Sequence, residues 1–205
     1  MIRLQGTRDL RRQKPSRRER RRLLLVTEGK KTEPGYMRGL LRLLRATAVD
    51  VHSVDVQHAG VTHPLGIVRE TIKIRDKTSD PYDECWCLVD VDNHTSLASA
   101  CTLARAEDIN IAVSNPCFEI WLLWHYRDHR AATSGKYLRQ QLRTLGHPDK
   151  SIPESFPFAA CGQALKRSQE AAPGQAQNSV GPNPSTTFGL VLGLLQPEPR
   201  EPSGR

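Results

Sequence analysis

Four short apolar runs, each followed by a helical pattern, constrain the fold of this 205-residue chain more than any other feature. Strands that alternate with helices are typical of a parallel sheet covered on both faces. The sequence therefore predicts an α/β fold with a mostly parallel sheet, helices on both faces and additional C-terminal helices. The predicted strands cover residues 22–27, 49–57, 84–90 and 110–114.

Two Asn-Pro pairs mark the predicted beginnings of later helices. Asn115 is predicted to cap a helix over 118–126, and Asn183 with Pro184 to begin the last helix of the chain. Capping would explain both asparagines without any role in chemistry, although Asn115 could also orient a carboxylate. The remaining helices are predicted from Thr32 onward and over 64–77, 96–108, 134–145 and 159–171.

Positive charge is concentrated at the amino-terminal end of the chain. Residues 1–22 contain ten basic and two acidic side chains, which accounts for the whole formal net charge of +8. We expect a basic disordered arm over 1–21, one domain over 22–195 and a Pro-rich tail over 196–205. Such an arm suits a polyanion such as DNA or RNA, and a merely solvated tail is the alternative. The basic residues assigned to this interaction are Arg11, Arg12, Arg17, Arg18, Arg20, Arg21 and Arg22.

The cysteine pattern and the short apolar runs predict a cytoplasmic protein. The chain has five cysteines and no CxxC pair, which argues against a disulfide framework or a zinc knuckle. Cys85 and Cys87 alternate within a predicted strand, so both thiols are expected on one face of the sheet. No stretch approaches the ~20 apolar residues that a membrane span needs, and residues 23–26 are too few for a signal peptide. We therefore expect reduced thiols and no membrane partner.

Acidic residues follow three of the predicted strands. Glu28 comes directly after the first strand, Asp90 and Asp92 end the third, and Glu119 follows the fourth. Because the carboxyl ends of parallel strands meet at one edge of a sheet, we expect these carboxylates to converge. Converging carboxylates repel one another unless a cation neutralises them, and oxygen ligands suit Mg²⁺, with Mn²⁺ as its substitute. The pattern predicts a phosphoryl-transfer site in which Glu28, Asp90 and Asp92 bind metal and handle protons.

Each of these carboxylates also has an explanation that involves no chemistry. Glu28 could only stabilise a helix N-terminus, and Asp90 and Asp92 could only form the turn before the next helix. Glu119 lies on an apolar helix, where it would either face the site as a further metal ligand or face solvent.

Three residues beside Glu28 are predicted to support the same site. Gly29 is expected to permit a tight turn after the first strand. Lys30 and Lys31 are candidates for binding a phosphate next to the metal, and the alternative is that they are ordinary surface lysines.

Four segments of the chain together resemble the RloB family, whose core is similar to the Toprim domain of topoisomerases, primases and OLD-type nucleases. Glu28-Gly29 and Asp90-Val91-Asp92 stand where Toprim domains carry their Glu-Gly and Asp-x-Asp motifs. The resemblance covers roughly 22–195 and is weakest over 127–182. The segments are LLLVTEGKKTEPGY, CLVDVDNH, SNPCFEIWLL and NPSTTFGLVLGLL.

The resemblance implies a Toprim-like fold and a metal-dependent nuclease acting on DNA or RNA. It also implies a role in phage defence or restriction and a partner ATPase. An accessory module that binds nucleic acid or an ATPase without catalysis is the alternative. Nucleotide synthesis or signalling is a weaker alternative, because the chain lacks a Gly-rich phosphate loop of the usual kind. The choice between DNA and RNA, the mode of cleavage and the oligomeric state stay open.

Overall fold

The computed structural model of the chain describes residues 20–44, 49–55, 63–91 and 95–195. Its centre is a five-stranded sheet with the strand order β2-β1-β3-β4-β5. The first four strands are parallel and β5 is antiparallel to β4, which confirms the prediction of a mostly parallel α/β sheet. The strands are β1 (Arg21–Thr27), β2 (Val49–Asp55), β3 (Glu84–Asp90), β4 (Asn110–Asn115) and β5 (Ser185–Thr186).

Helices follow the strands in the predicted order. Helix α2 has the predicted bounds, and the others differ from the predicted ranges by a few residues at their ends. Within the described ranges, no helix combines the length and apolar character needed to cross a membrane. The helices are α1 (Thr32–Leu44), α2 (Pro64–Lys77), α3 (Leu97–Ala106), α4 (Glu119–Tyr126), α5 (Gly135–Thr144), α6 (Cys161–Ala171) and α7 (Phe188–Leu195), with a 3₁₀ turn at Phe158–Ala160.

The sheet is buried on both faces because successive side chains of each strand point to opposite sides. Leu23 and Leu25 of β1 pack with α1 and α4–α7, whereas Leu24 and Val26 pack with α2 and α3. The same alternation places Cys85 and Cys87 together on the α2–α3 face, as the sequence predicts. All five cysteines are free thiols.

Arg21 and Arg22 belong to the sheet and not to the predicted arm. Arg21 forms an ion pair with Glu84, and the guanidinium of Arg22 lies 3.1 Å from the carboxylate of Asp80 and 4.8 Å from the ring centre of Tyr82. β1 begins at Arg21, one residue before the predicted domain, so the arm ends earlier than predicted, and the nucleic-acid role of Arg21 and Arg22 stays a prediction. Arg20 is exposed just before β1. Arg11, Arg12, Arg17 and Arg18 lie outside the described residues, as does the Pro-rich tail, so the nucleic-acid role of the arm stays a prediction.

Neither Asn-Pro pair begins a helix in the predicted way. Asn115 ends β4, and its side-chain amide donates to the carbonyl of Gly181 at 2.9 Å, while α4 begins only at Glu119. The amide of Asn183 bonds both backbone groups of Thr133, at 3.0 and 2.8 Å. The capping predictions are wrong because both asparagines instead hold distant loops, which capping preferences do not anticipate.

The antiparallel strand β5 occupies the position predicted for the start of the last helix. Ser185 and Thr186 pair with the end of β4, and α7 begins at Phe188. The N–H of Phe188 donates to the hydroxyl of Thr186 at 3.2 Å, so one threonine of this segment does satisfy an orphan donor of the helix.

The Pro- and Gly-rich loop before β5 covers the remaining edge of β4. Asn178 accepts a hydrogen bond from the N–H of Ile111 at 2.6 Å and donates to the carbonyl of Ile109 at 3.1 Å. Its own N–H donates to the carbonyl of Ile111 at 3.0 Å. Asn178 has a φ of 57°, a left-handed conformation that asparagine adopts more readily than most residues. The side chain thus replaces a neighbouring strand at this edge.

Replacing Asn178 by aspartate is expected to lower the free energy of unfolding by about 1–2 kcal/mol, because the acceptor is kept but the buried donor to Ile109 is lost. Chemical denaturation measures the change. The matched control is Gln177→Glu, which makes the same amide-to-acid change at an exposed neighbour. Equal stability of the two variants would show that the side chain of Asn178 does not protect the edge.

Candidate functional site

The carboxyl ends of β1 and β3 and the first turns of α1 and α4 open into one cavity of about 320 Å³, which we call the site cavity. Four acidic and four basic side chains line it together with Gly29 and Thr32. The structure thus brings together predicted residues that are up to 91 positions apart in the sequence (Glu28 to Glu119), as expected for the edge of a parallel sheet. The charged residues are Glu28, Glu33, Asp90 and Glu119, with Lys30, Lys31, Arg139 and Lys150.

Asp90 and Glu119 lie close enough to share a cation. One ligand atom from each, together with the thiol of Cys117, forms a group in which all atoms are within 4.8 Å of one another. Asp90 is held in place by the N–H of Phe118, which donates to its Oδ1 at 2.9 Å. This hydrogen bond links the end of β3 to the start of α4, the helix that follows β4. The position of the carboxylate therefore depends on the segments that follow two neighbouring strands, β3 and β4.

The donor set of this group fits a divalent metal ion. Two carboxylates suit the hard ions Mg²⁺ and Mn²⁺, whereas a thiol suits softer ions such as Zn²⁺. Cys117 is buried, and its sulfur would lie 3.2 Å from a Cβ placed on Gly135, so the glycine makes room for it at the start of α5. The cysteine was not among the predicted ligands, because nothing in the sequence distinguishes a thiol at a site from a buried core thiol.

Asp92, the second aspartate of the predicted pair, lies outside the described residues. Its role in metal binding and catalysis therefore stays a prediction. Glu28 is partly buried at the end of β1 and lines the same cavity as Asp90. The roles assigned to Glu28, Asp90 and Glu119 also stay predictions, although the structure places all three around one space.

Glu33 is an acidic residue of the site that the sequence analysis missed. It lies in the first turn of α1 and is 8% exposed. Burial raises the pKa of its carboxyl from 4.5 to about 7, and the negative charges of Glu119 and Glu28 act in the same direction, whereas Lys150 opposes them. An acid in the first turn of a helix is common because it stabilises the helix dipole, so its position in the sequence does not reveal its burial.

The side chain of Glu33 approaches the backbone of Gly29 closely. A Cβ at position 29 would lie 2.6 Å from Oε2 of Glu33, and the residue has no left-handed φ. The predicted reason, the conformational freedom of a tight turn, is therefore not the one that the structure supports. A side chain at this position would displace the carboxylate of Glu33.

The basic side chains of the cavity come from two parts of the chain. Lys30 and Lys31 follow β1 as predicted, and Nζ of Lys31 lies 3.6 Å from a carboxylate oxygen of Asp149. Arg139 and Lys150 come from the region of weakest resemblance and were not predicted. The hydroxyl of Thr32 donates to the carbonyl of Lys150 at 3.0 Å, which holds this loop against the start of α1.

Two predicted supporting residues do not line the cavity. Asn115 bonds Gly181 and Asn183 bonds Thr133, as described above, so their amides are engaged with loops of the C-terminal part. Their supporting role at the site therefore stays a prediction, whereas Gly29 does line the cavity.

The fold and the site together define an α/β protein with a cavity of mixed charge at the carboxyl edge of a parallel sheet. The family model described as RloB-like protein matches residues 23–195, and the chain belongs to this family. Comparisons with curated proteins and with solved structures found no match.

Proposed function

We propose that the chain is a metal-dependent nuclease that hydrolyses phosphodiester bonds of DNA or RNA in the site cavity. The observation that carries this proposal is the meeting of four carboxylates and four basic side chains around one cavity. Hydrolysis of a phosphodiester needs a cation site for the reacting phosphate and basic groups for the charge around it. Carboxylates that could hold a cation and basic side chains line the same cavity, which supports the proposal.

Asp90 and Glu119 would hold the metal ion, with Glu28 and Asp92 as further ligands and Mg²⁺ or Mn²⁺ as the ion. When bound, this ion would polarise the phosphate and stabilise charge on the leaving oxygen. Lys30 and Lys31 would bind phosphate oxygens next to it. Arg139 would add a guanidinium, which recognises a phosphate with two parallel hydrogen bonds.

Proton transfer is assigned to carboxylates of the same cavity. Glu28 is the acid–base group that the sequence analysis proposed. The pKa of about 7 makes Glu33 a second group that can hold or release a proton at neutral pH. Both carboxyls would act on the attacking water or the leaving oxygen.

The wider role is proposed from family membership alone. As members of the RloB family are associated with defence, we propose phage defence or restriction, with an ATPase as the candidate partner. The Toprim-like character of the fold belongs to the same proposal.

The test is an assay of the full chain on single- and double-stranded DNA and RNA, with Mg²⁺, with Mn²⁺ or with EDTA. We expect cleavage that requires metal, and Glu28→Gln is expected to lower it by about 100-fold. The matched control is Glu70→Gln on α2, which belongs to the opposite face of the sheet and should cleave normally.

Two outcomes would contradict the proposal. If Glu28→Gln cleaved at the wild-type rate, Glu28 would not be the acid–base residue. Metal-dependent thermal stabilisation without cleavage of any of the four substrates would instead favour the accessory module that binds nucleic acid or an ATPase.

A further inference from the structure

Two further cavities adjoin the site cavity and share its walls. The third cavity, of about 290 Å³, has Lys30 and Lys31 in common with the site cavity. It also shares Ser151 with the second cavity, so each of the three spaces borders the other two, and we call them together the groove. The second cavity, of about 250 Å³, shares four residues with the site cavity: Thr32, Glu119, Arg139 and Lys150.

The third cavity is the basic part of this groove: its charged lining consists of lysines and arginines alone, whereas the site cavity and the second cavity also contain carboxylates. The third cavity contains Arg38 and Arg42, which are exposed and one turn apart on α1, and the second contains Arg143 of α5. None of these three arginines is in an ion pair with a carboxylate among the described residues. Asp149, the carboxylate that the second cavity adds, is already paired with Lys31.

The second cavity also has an apolar wall. Leu122 and Leu142 are buried beneath it and Pro148 forms part of its rim. An apolar wall next to arginines suits a flat, weakly polar group attached to a phosphate, such as a nucleobase with its sugar. A base that is paired within a duplex is stacked between its neighbours and cannot enter such a cavity unless it is first extruded.

We propose that a single strand of nucleic acid lies along this groove, an inference that rests on the proposed function. The reacting phosphate occupies the site cavity, and the adjacent nucleoside enters the second cavity against Leu122 and Leu142. Further phosphates of the strand contact Arg38 and Arg42 in the third cavity. The substrate class is therefore single-stranded or locally unpaired nucleic acid.

Binding is measured by fluorescence anisotropy with the full chain in EDTA, so that no metal-dependent cleavage occurs. The probes are a labelled single strand, a duplex of the same sequence, and single strands in which one base at a time is removed. We expect the single strand to bind more tightly than the duplex. Removing the base at one position is expected to weaken binding several-fold, whereas removal elsewhere has little effect.

The double variant Arg38→Gln/Arg42→Gln tests the basic end of the groove. Loss of two phosphate contacts should lower the affinity for the single strand about 10-fold. It should also reduce the slope of the logarithm of the binding constant against the logarithm of the salt concentration by about 1.4, because each phosphate contact to a single strand contributes ~0.7. The matched control is Arg69→Gln/Lys73→Gln, an exposed pair at the same spacing on α2. The control is expected to bind like the wild type.

The inference is overturned if the duplex binds as tightly as the single strand, or if the α1 double variant binds like its α2 control. Its failure is distinguishable from failure of the proposed function. If cleavage is observed and the α1 variant binds like the wild type, the proposed nuclease activity stands and the proposed binding groove fails. If the α1 variant binds more weakly and no metal supports cleavage, the binding groove stands and the nuclease activity fails.

Discussion

Replacing Asp90 by asparagine is expected to lower the rate of metal-dependent cleavage by roughly 100- to 1,000-fold. A bound metal ion stabilises the transition state by several kcal/mol. Each 1.36 kcal/mol of lost stabilisation lowers the rate about tenfold. The substitution leaves the fold intact for a structural reason. The Oδ1 of asparagine can still accept the hydrogen bond from the N–H of Phe118, which is 2.9 Å in the wild type. The variant therefore removes the negative charge and keeps the link between β3 and α4.

The measurement has two parts and a control. Cleavage rates are compared in Mn²⁺, and the shift in melting temperature that Mn²⁺ causes in the wild type is expected to disappear in Asp90→Asn. The control, Asp108→Asn, makes the same change at an exposed turn after α3. If Asp90→Asn cleaved at the wild-type rate, the cavity would not be the nuclease site.

Replacing Glu33 by glutamine is expected to raise the free energy of unfolding by about 3 kcal/mol at pH 8 in EDTA. The carboxyl of Glu33 has a pKa of about 7 in the folded chain and 4.5 as its ordinary value, and one pKa unit corresponds to about 1.36 kcal/mol. Between these two values the folded state keeps a proton that the unfolded state has released. The stability of the wild type therefore falls as pH rises from about 4.5 to 7 and is level above that.

Urea denaturation from pH 4 to pH 8 tests this prediction. The difference between Glu33→Gln and the wild type is expected to be near zero at the acid end and to grow through the window. The control, Glu154→Gln at an exposed position, should show no such growth. A glutamine variant that is less stable than the wild type at pH 8 would mean that the ionised carboxylate is well satisfied in the fold.

Glu33 is informative because its raised pKa predicts a metal-free fold that is less stable at neutral pH than in acid. A buried acid with a pKa near neutrality is more typical of a functional site than of a structural position. Its neighbours Glu28 and Glu119 add to the same electrostatic cost. A cation bound in this cavity would relieve the repulsion among these groups, which links the proposed metal site to the stability of α1.

The local pattern of the sequence predicted most of the elements and the edge of the sheet at which the site lies. The strand Glu84–Asp90 and the helix Pro64–Lys77 have the predicted bounds, because a buried parallel strand and an amphipathic helix each leave a short-range periodic pattern. The convergence of Glu28, Asp90 and Glu119 followed from topology, since parallel strands end at one edge.

Residues that depend on long-range contacts were not predictable in this way. Asn183 and Thr133 are 50 positions apart, and the preference of asparagine for helix N-termini gives no indication of that bond. Arg139 and Lys150 enter the site because α5 and the loop after it pack against α1. Their neighbours in the sequence show no motif that distinguishes them from surface cations.

The sequence by itself determined the alternation of strands and helices, the two apolar faces of the sheet and the acidic strand ends, because each of these depends on residues only a few positions apart. Only the tertiary structure decided that Glu33 is buried, that Cys117 joins Asp90 and Glu119, and that β5 pairs with β4. The physical reason is that burial and ligand geometry depend on groups far apart in the chain, whose meeting no local pattern records.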